Sequence, residues 1–185
     1  MLTEIACASE FKLCFNDRDR AMKILSKTHE QDMLDHWRAC EGIPADTPVR
    51  HDIFHDRFPR ETTWHVAEIE AEDIDNLFMI SVHDFGPISR QTWRVSVAAQ
   101  NYLDGFTDND HILRIRKLLD RDHFDPRVIA VSHAANGPYT ILDGNHRAII
   151  LHSRGELIEK TCFLGLHAGI RHFDHAGMAY RDLRA

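Results

Sequence analysis

Cysteine is sparse in this chain of 185 residues, and its four copies, Cys7, Cys14, Cys40 and Cys162, form neither a C-x-x-C pair nor a zinc-ligand spacing. A reducing, cytoplasmic setting is therefore expected. No stretch approaches the ~20 apolar residues of a membrane helix. The first residues carry Glu4, Glu10 and Lys12 among their apolar neighbours, so the cationic lead and long apolar run of a signal peptide are missing as well. Clustered positive charge is also lacking. With a formal net charge of -7, the chain does not have the balance of a general nucleic-acid binder, whose affinity for a phosphate backbone comes from grouped Lys and Arg. Neither an internal repeat nor a low-complexity segment is present.

What the chain does have is a composition of 43% hydrophobic and 28% charged residues, enough for one globular core with a helical extension. Phe11, Leu13, Phe15, Met22, Leu25, Met33, Leu34 and Trp37 recur among charges, which predicts two amphipathic helices broken near Asn16 or Thr28 and ended by Gly42-Ile43-Pro44. Residues 44 to 63 hold three prolines and many charges and read as a connection. Residues 1–60 thus form an N-terminal helical extension with its loop, and 61–185 the main domain. Strands are expected at Trp64–Ile69 and near Leu77–Val82, and the stretch from 89 to 106 as a strand turning into a short helix at Ala98. Thr107-Asp108-Asn109-Asp110 caps a helix carrying Ile112, Ile115, Leu118 and Leu119. Val128–Val131 and Tyr139–Leu142, separated by Asn136-Gly137-Pro138, read as a hairpin. A helix to about Ser153, closed by Gly155, and a strand at Lys160–Gly165 complete an α+β pattern with a small mixed sheet.

The most telling junction is Asp143-Gly144-Asn145-His146-Arg147. A strand delivers a carboxylate to a sheet edge, Gly144 permits a sharp turn, and Asn145 is expected to cap the helix that follows. Unpaired amides and the positive dipole end at that helix start, together with Arg147, would suit a phosphate. The same residues also compose an ordinary turn, with His146 solvated and Arg147 paired to a surplus acid.

The run from about Asp108 to Leu166 resembles the ParB/sulfiredoxin-like fold, in which a capped helix, a hairpin and a strand lead to a phosphate-binding Gly-x-x-Arg element, here Gly144-Asn145-His146-Arg147. Sulfiredoxins need a cysteine where this chain has Asn145. ParB partition proteins add a helix-turn-helix module, for which the roughly 20 residues after the closing strand are too few. The free serine kinases of the superfamily carry an Asp-Gly-x-x-Arg element similar to Asp143–Arg147. That resemblance implies ATP or ADP with Mg2+, held at Gly144, Asn145, His146 and Arg147. Asp143 would serve as base or magnesium ligand, and His146 would donate to a phosphate oxygen. It also implies an upstream carboxylate, for which Glu68, Glu70, Glu72, Asp73 and Asp75 are the candidates, although their density reads first as a solvated acidic edge.

Other residues carry weaker signals. Arg90 and Arg94 could fork onto a substrate carboxylate. Arg114, Arg116, Lys117, Arg121 and Arg127 form a diluted basic face, solvated first and phosphate-touching second. Histidine is abundant, 14 copies. His51 and His55, with Asp52, Asp56 and His65, and the pair His172 and His175 suggest metal spacing, but scattered surface histidines account for both, so no metal ligands are assigned. The tail could fold over the cleft and bring Arg171 and His172 to the phosphates. Three functions follow as expectations. The first is a nucleotide-dependent phosphotransferase acting on a small hydroxyl-bearing metabolite such as serine. The second is a ParB-like nucleotide-binding regulator, and the third a metal-dependent hydrolase or nuclease. The expected partners are a small-molecule substrate and, as an open option, a second copy in a homodimer, with no general nucleic acid and no membrane.

Overall fold

Strand-forming runs of branched and aromatic residues alternate with helical segments along the chain, and they assemble into one mixed sheet. The computed structural model describes residues 20–49, 54, 57–106, 110–121 and 124–181. Among them the order is β1 (Lys23–Thr28), α1 (Glu30–Glu41), β2 (Thr63–Glu68), β3 (Leu77–Met79), α2 (Val95–Leu103), α3 (Asp110–Leu119), β4 (Ile129–Ser132), β5 (Tyr139–Asp143), α4 (Asn145–Ser153) and β6 (Thr161–Leu166), with short 3₁₀ turns between and after them. The sheet runs β1-β2-β6-β4-β5-β3. Strands β6 and β4 are parallel, as are β5 and β3, and the other neighbours are antiparallel.

Side chains alternate between the two faces with the strand period of two. On one face Ala67, Met79, Ala130, Ile141 and Leu164 pack with Val95, Ala98 and Ala99 of α2 and Ala148, Ile149 and Leu151 of α4. On the other, Trp64, Phe78, Val131, Leu142 and Phe163 meet Met33 and Leu34 of α1, Phe54, Phe58, and Ile170, Phe173 and Tyr180 of the tail. Strand β4 is buried throughout, as a central strand covered on both faces must be. Helix α4 is largely enclosed, burying Asn145 and Arg147 together with Ala148–Leu151, whereas α3 buries only Ile112 and keeps its charges outside.

The hairpin of β4 and β5, the helix after it and the closing strand lie where the sequence predicts them. Elsewhere there are corrections. Residues 23–28, read as helical, form an edge strand antiparallel to β2, because pairing along β2 outweighs a weak helical periodicity. That strand leaves Ile24 and Leu25 exposed at 41% and 47%. Helix α1 begins at Glu30 and ends on Gly42, whose φ of 67° gives the left-handed cap that glycine favours. The strand expected before Ala98 shrinks to one bridge, Phe78 with Arg94, and the helix starts at Val95. The Ser89 hydroxyl decides this, donating to the Phe85 carbonyl at 2.7 Å and accepting from Trp93 N at 3.0 Å. That turn holds Arg90, Gln91 and Trp93 at positive φ and breaks any strand alternation.

Register places the functional end of the sheet. Asp143 lies opposite Ile129, and Met79 opposite Ile141, so the end of β5, the start of β4 and the residues after β3 share one rim. Ser132 pairs with Leu166, which puts the end of β6 at the other rim.

Candidate functional site

At the first rim β5 turns into α4 through Gly144, whose φ is 87°. Glycine, not Asn145, occupies the cap position, correcting the expectation from sequence. The Asn145 side chain is used elsewhere: its Oδ1 accepts from Ile80 N at 3.1 Å and ties the loop after β3 to the head of the helix. Glycine at the cap supplies no side-chain acceptor to the first turn, and the intrahelical ladder begins with Ala148 N donating to Gly144 O at 2.8 Å. The first turn and the positive dipole end of this nine-residue helix lie at this rim.

Arg147 is 4% exposed and folds back to pair with Asp143 Oδ2. Its guanidinium also fills the space over Gly144: a Cβ there would sit 2.8 Å from Arg147 Nε and 2.9 Å from Val128 Cγ1. Glycine is thus required twice, for its backbone conformation and for this approach. The Phe124 ring lies 6.0 Å from the guanidinium carbon. Arg147 therefore clamps the turn, and Asp143 keeps Oδ1 without a protein partner among the described residues.

His146 stacks on His111 at 5.6 Å and an interplanar angle of 12°, and tilts against Phe85 at 5.0 Å. Burial, followed by the adjoining His111 imidazole, pushes its pKa down to about 4. At neutral pH it is an uncharged ring, able to donate one N–H but not to supply a positive charge.

These residues line a cavity of about 290 Å³. Its other walls come from Ile80 and Phe85 after β3, from His111 and Arg114 of α3, from Phe124, and from Cys40 and Glu41 at the end of α1. Arg114 is exposed, makes no ion pair among the described residues and lines the cavity together with the head of α4. Glu41 is the second carboxylate of the cavity. Sequence reading counted Arg114 in a solvated basic face and missed Cys40, Glu41 and His111, since nothing in the chain order links α1, α3 and the β5 turn.

The remaining candidates lie elsewhere. Arg90 pairs with Asp104 at 3.7 Å beside a separate hollow with Pro87 and Phe106. Arg94 donates to the Asp75 carbonyl and lies 4.8 Å over the Phe78 ring. Arg171 and His172 follow the far end of β6, where Arg171 Nε donates to His172 Nε2 at 3.0 Å. The tail covers a sheet face without bringing these two to the cavity. Of the acids, Glu68 pairs with Lys23, Glu70 and Glu72 with Arg20, and Asp73 accepts from Glu70 N; none lines the cavity. His51, Asp52, His55 and Asp56 lie outside the described residues. Among the described residues no three His, Cys, Asp or Glu side chains converge as metal ligands do, and no helix is long and apolar enough to cross a membrane.

No family model, curated protein or solved structure matches this chain.

Proposed function

We propose that the chain is a ParB/sulfiredoxin-like phosphotransferase that binds a nucleoside phosphate at the head of α4 and passes a phosphoryl group to a small hydroxyl-bearing metabolite such as serine. One observation carries the reading: a helix N-terminus with glycine at its cap, an exposed arginine without an ion pair among the described residues, and a carboxylate with one oxygen unpaired among them border a single cavity. The order α3, β4, β5, α4, β6 supports the fold assignment.

Phosphoryl transfer asks mainly for positioning and for donors aimed at negative charge. The amides of Asn145, His146 and Arg147 and the Arg114 guanidinium are the donor set for the phosphate chain, with an N–H of neutral His146 as a further donor. Arg147 acts through the turn: by clamping Asp143 it fixes the carboxylate that would accept the acceptor hydroxyl's proton at Oδ1. The donor set suits an anion, and the carboxylates of Asp143 and Glu41 suit magnesium, which when bound offsets charge on the phosphates. Ile80, Phe85 and Phe124 give the apolar wall that a base or ribose packs against.

One feature favours a second reading, a nucleotide-binding regulator of the ParB kind. Asp143 is already paired with Arg147, which occupies one of its two carboxylate oxygens. A labelled-phosphate assay over hydroxy amino acids with MgATP and MgADP distinguishes the two. Transfer to an acceptor, abolished in Asp143→Asn with nucleotide affinity kept within about tenfold, supports the enzyme. Binding, or release of free phosphate, without a phosphorylated acceptor overturns it.

A further inference from the structure

The wall of the cavity opposite the β5 turn carries a second arrangement that phosphate binding does not use. Cys40 is a free, half-buried thiol whose sulfur lies 3.6 Å from Nε2 of His36, one helical turn earlier on α1. The His36 ring is 7% exposed and sits 5.2 Å from the Phe163 ring. Its Nδ1 donates to Asp125 Oδ2 at 3.1 Å, and its Nε2 is 3.2 Å from the Arg127 carbonyl, so the edge that reaches the sulfur is fixed in place. Arg127 grips the same Asp125 carboxylate, with Nη2 at 2.6 Å. Burial alone would discharge His36, but the hydrogen bond it donates to Asp125 and the adjacent Cys40 raise its pKa to about 9. Asp125 is held well below the usual carboxylate range: burial opposes this, and the hydrogen bonds from His36 and Arg127 overcome it.

Thiol, imidazole and carboxylate thus follow one another as nucleophile, proton carrier and orienter, the relation in which a cysteine is activated. The charged groups around the sulfur are His36, with Asp125 and Arg127 behind it, Glu41 next in the chain, and Arg114 and Asp143 on the other walls of the cavity. Cys162 provides the contrast: it is wholly enclosed, and burial, followed by Asp73, pushes its thiol up to about 12.

We propose that Cys40 is a reactive thiol of this cavity, served by His36 and Asp125, and that hydrogen peroxide oxidises it to a sulfenic acid. Solvent takes the thiol proton, and the sulfur, held beside the His36 imidazolium, attacks one peroxide oxygen. An S–O bond forms as the O–O bond breaks, the leaving hydroxide takes a proton from His36 and departs as water, and His36 regains its proton from solvent. Sulfur is oxidised by two electrons and peroxide is reduced by two.

The experiment treats the full chain with hydrogen peroxide in the presence of dimedone, which traps sulfenic acids, and locates the label by peptide mass spectrometry. Label is expected on Cys40 about tenfold faster than on free cysteine at the same pH, with little on Cys162. His36→Gln and Asp125→Asn, each checked for native fold by circular dichroism, are expected to slow it about tenfold, and Cys40→Ser to remove it. Should His36→Gln fail to fold, the milder Asp125→Asn, whose carboxylate is partly exposed, carries the test. A Cys40 that labels no faster than free cysteine, or folded variants that label like the wild type, would overturn the proposal. It does not rest on phosphate binding, so its failure leaves the transfer reading intact, and the reverse also holds.

Discussion

Two histidines, His36 buried and His146 half-buried, lie at this cavity or just behind its wall and are driven in opposite directions. His146 is enclosed by Phe85 and a second imidazole and drops to about 4, whereas His36 faces a carboxylate and rises to about 9. Burial opposes charge on both rings; the neighbour decides the outcome. The head of α4 is thereby kept free of imidazolium charge, leaving phosphate recognition to amides and Arg114, while the α1 side retains a fixed cation beside a thiol. One cavity thus combines a donor surface for anions with a separate environment suited to a nucleophile.

The largest expected effect comes from taking the carboxylate away from His36. Asp125→Asn leaves a buried imidazolium with one partner fewer and is expected to cost about 2 kcal/mol of stability at pH 7, below the figure for a fully buried pair because Asp125 is partly exposed. In NMR titrations the His36 midpoint should fall below the ordinary 6.5; a midpoint still near 9 would mean that Asp125 is not the cause.

The pH dependence of stability should show both histidines. For His36 the folded value lies above the unfolded one, so its contribution is complete below pH 6.5 and is lost as pH rises from there through about 9. For His146 the folded value lies below, so stability is retained above pH 6.5 and lost as pH falls through about 4. Thermal melts across this range are expected to decline on both sides. His36→Gln should flatten the alkaline limb and His146→Gln the acid limb; exchanged or unchanged limbs would break the comparison.

A smaller change tests what burial alone does. His111→Phe keeps a ring against His146 and removes the neighbouring imidazole, the second cause of its shift, so the His146 midpoint should rise slightly yet stay below 6.5. A return to the ordinary value would make His111, not burial, the main cause. Arg171→Ala, at the opposite rim, is expected to leave nucleotide affinity unchanged within about twofold.

Much of the scaffold was legible because its signals are local. Branched runs around Val128–Val131 and Tyr139–Leu142, the turn between them and the helical stretch from Gly144 to Gly155 predict β4, β5 and α4 in order. Misreadings arose where a distant partner decides. Asn145 looks like a cap until Ile80 N, 65 residues earlier, takes its side chain. Lys23–Thr28 looks helical until β2 offers an edge. The His36 to Asp125 contact spans 89 residues, and no periodicity could announce it. Arg147 is identifiable as important from sequence, but its role as a clamp on Asp143 follows only from the fold over Gly144.

The central claim is that the head of α4 holds phosphate with Arg114 opposite, and amide NMR during titration with MgADP tests it most directly. Shifts should concentrate on Gly144 to Arg147 and on Arg114, with affinity reduced about tenfold in Arg114→Ala, the loss expected for one charge-assisted contact. Binding whose shifts avoid that turn, or no binding at millimolar ligand, would contradict it.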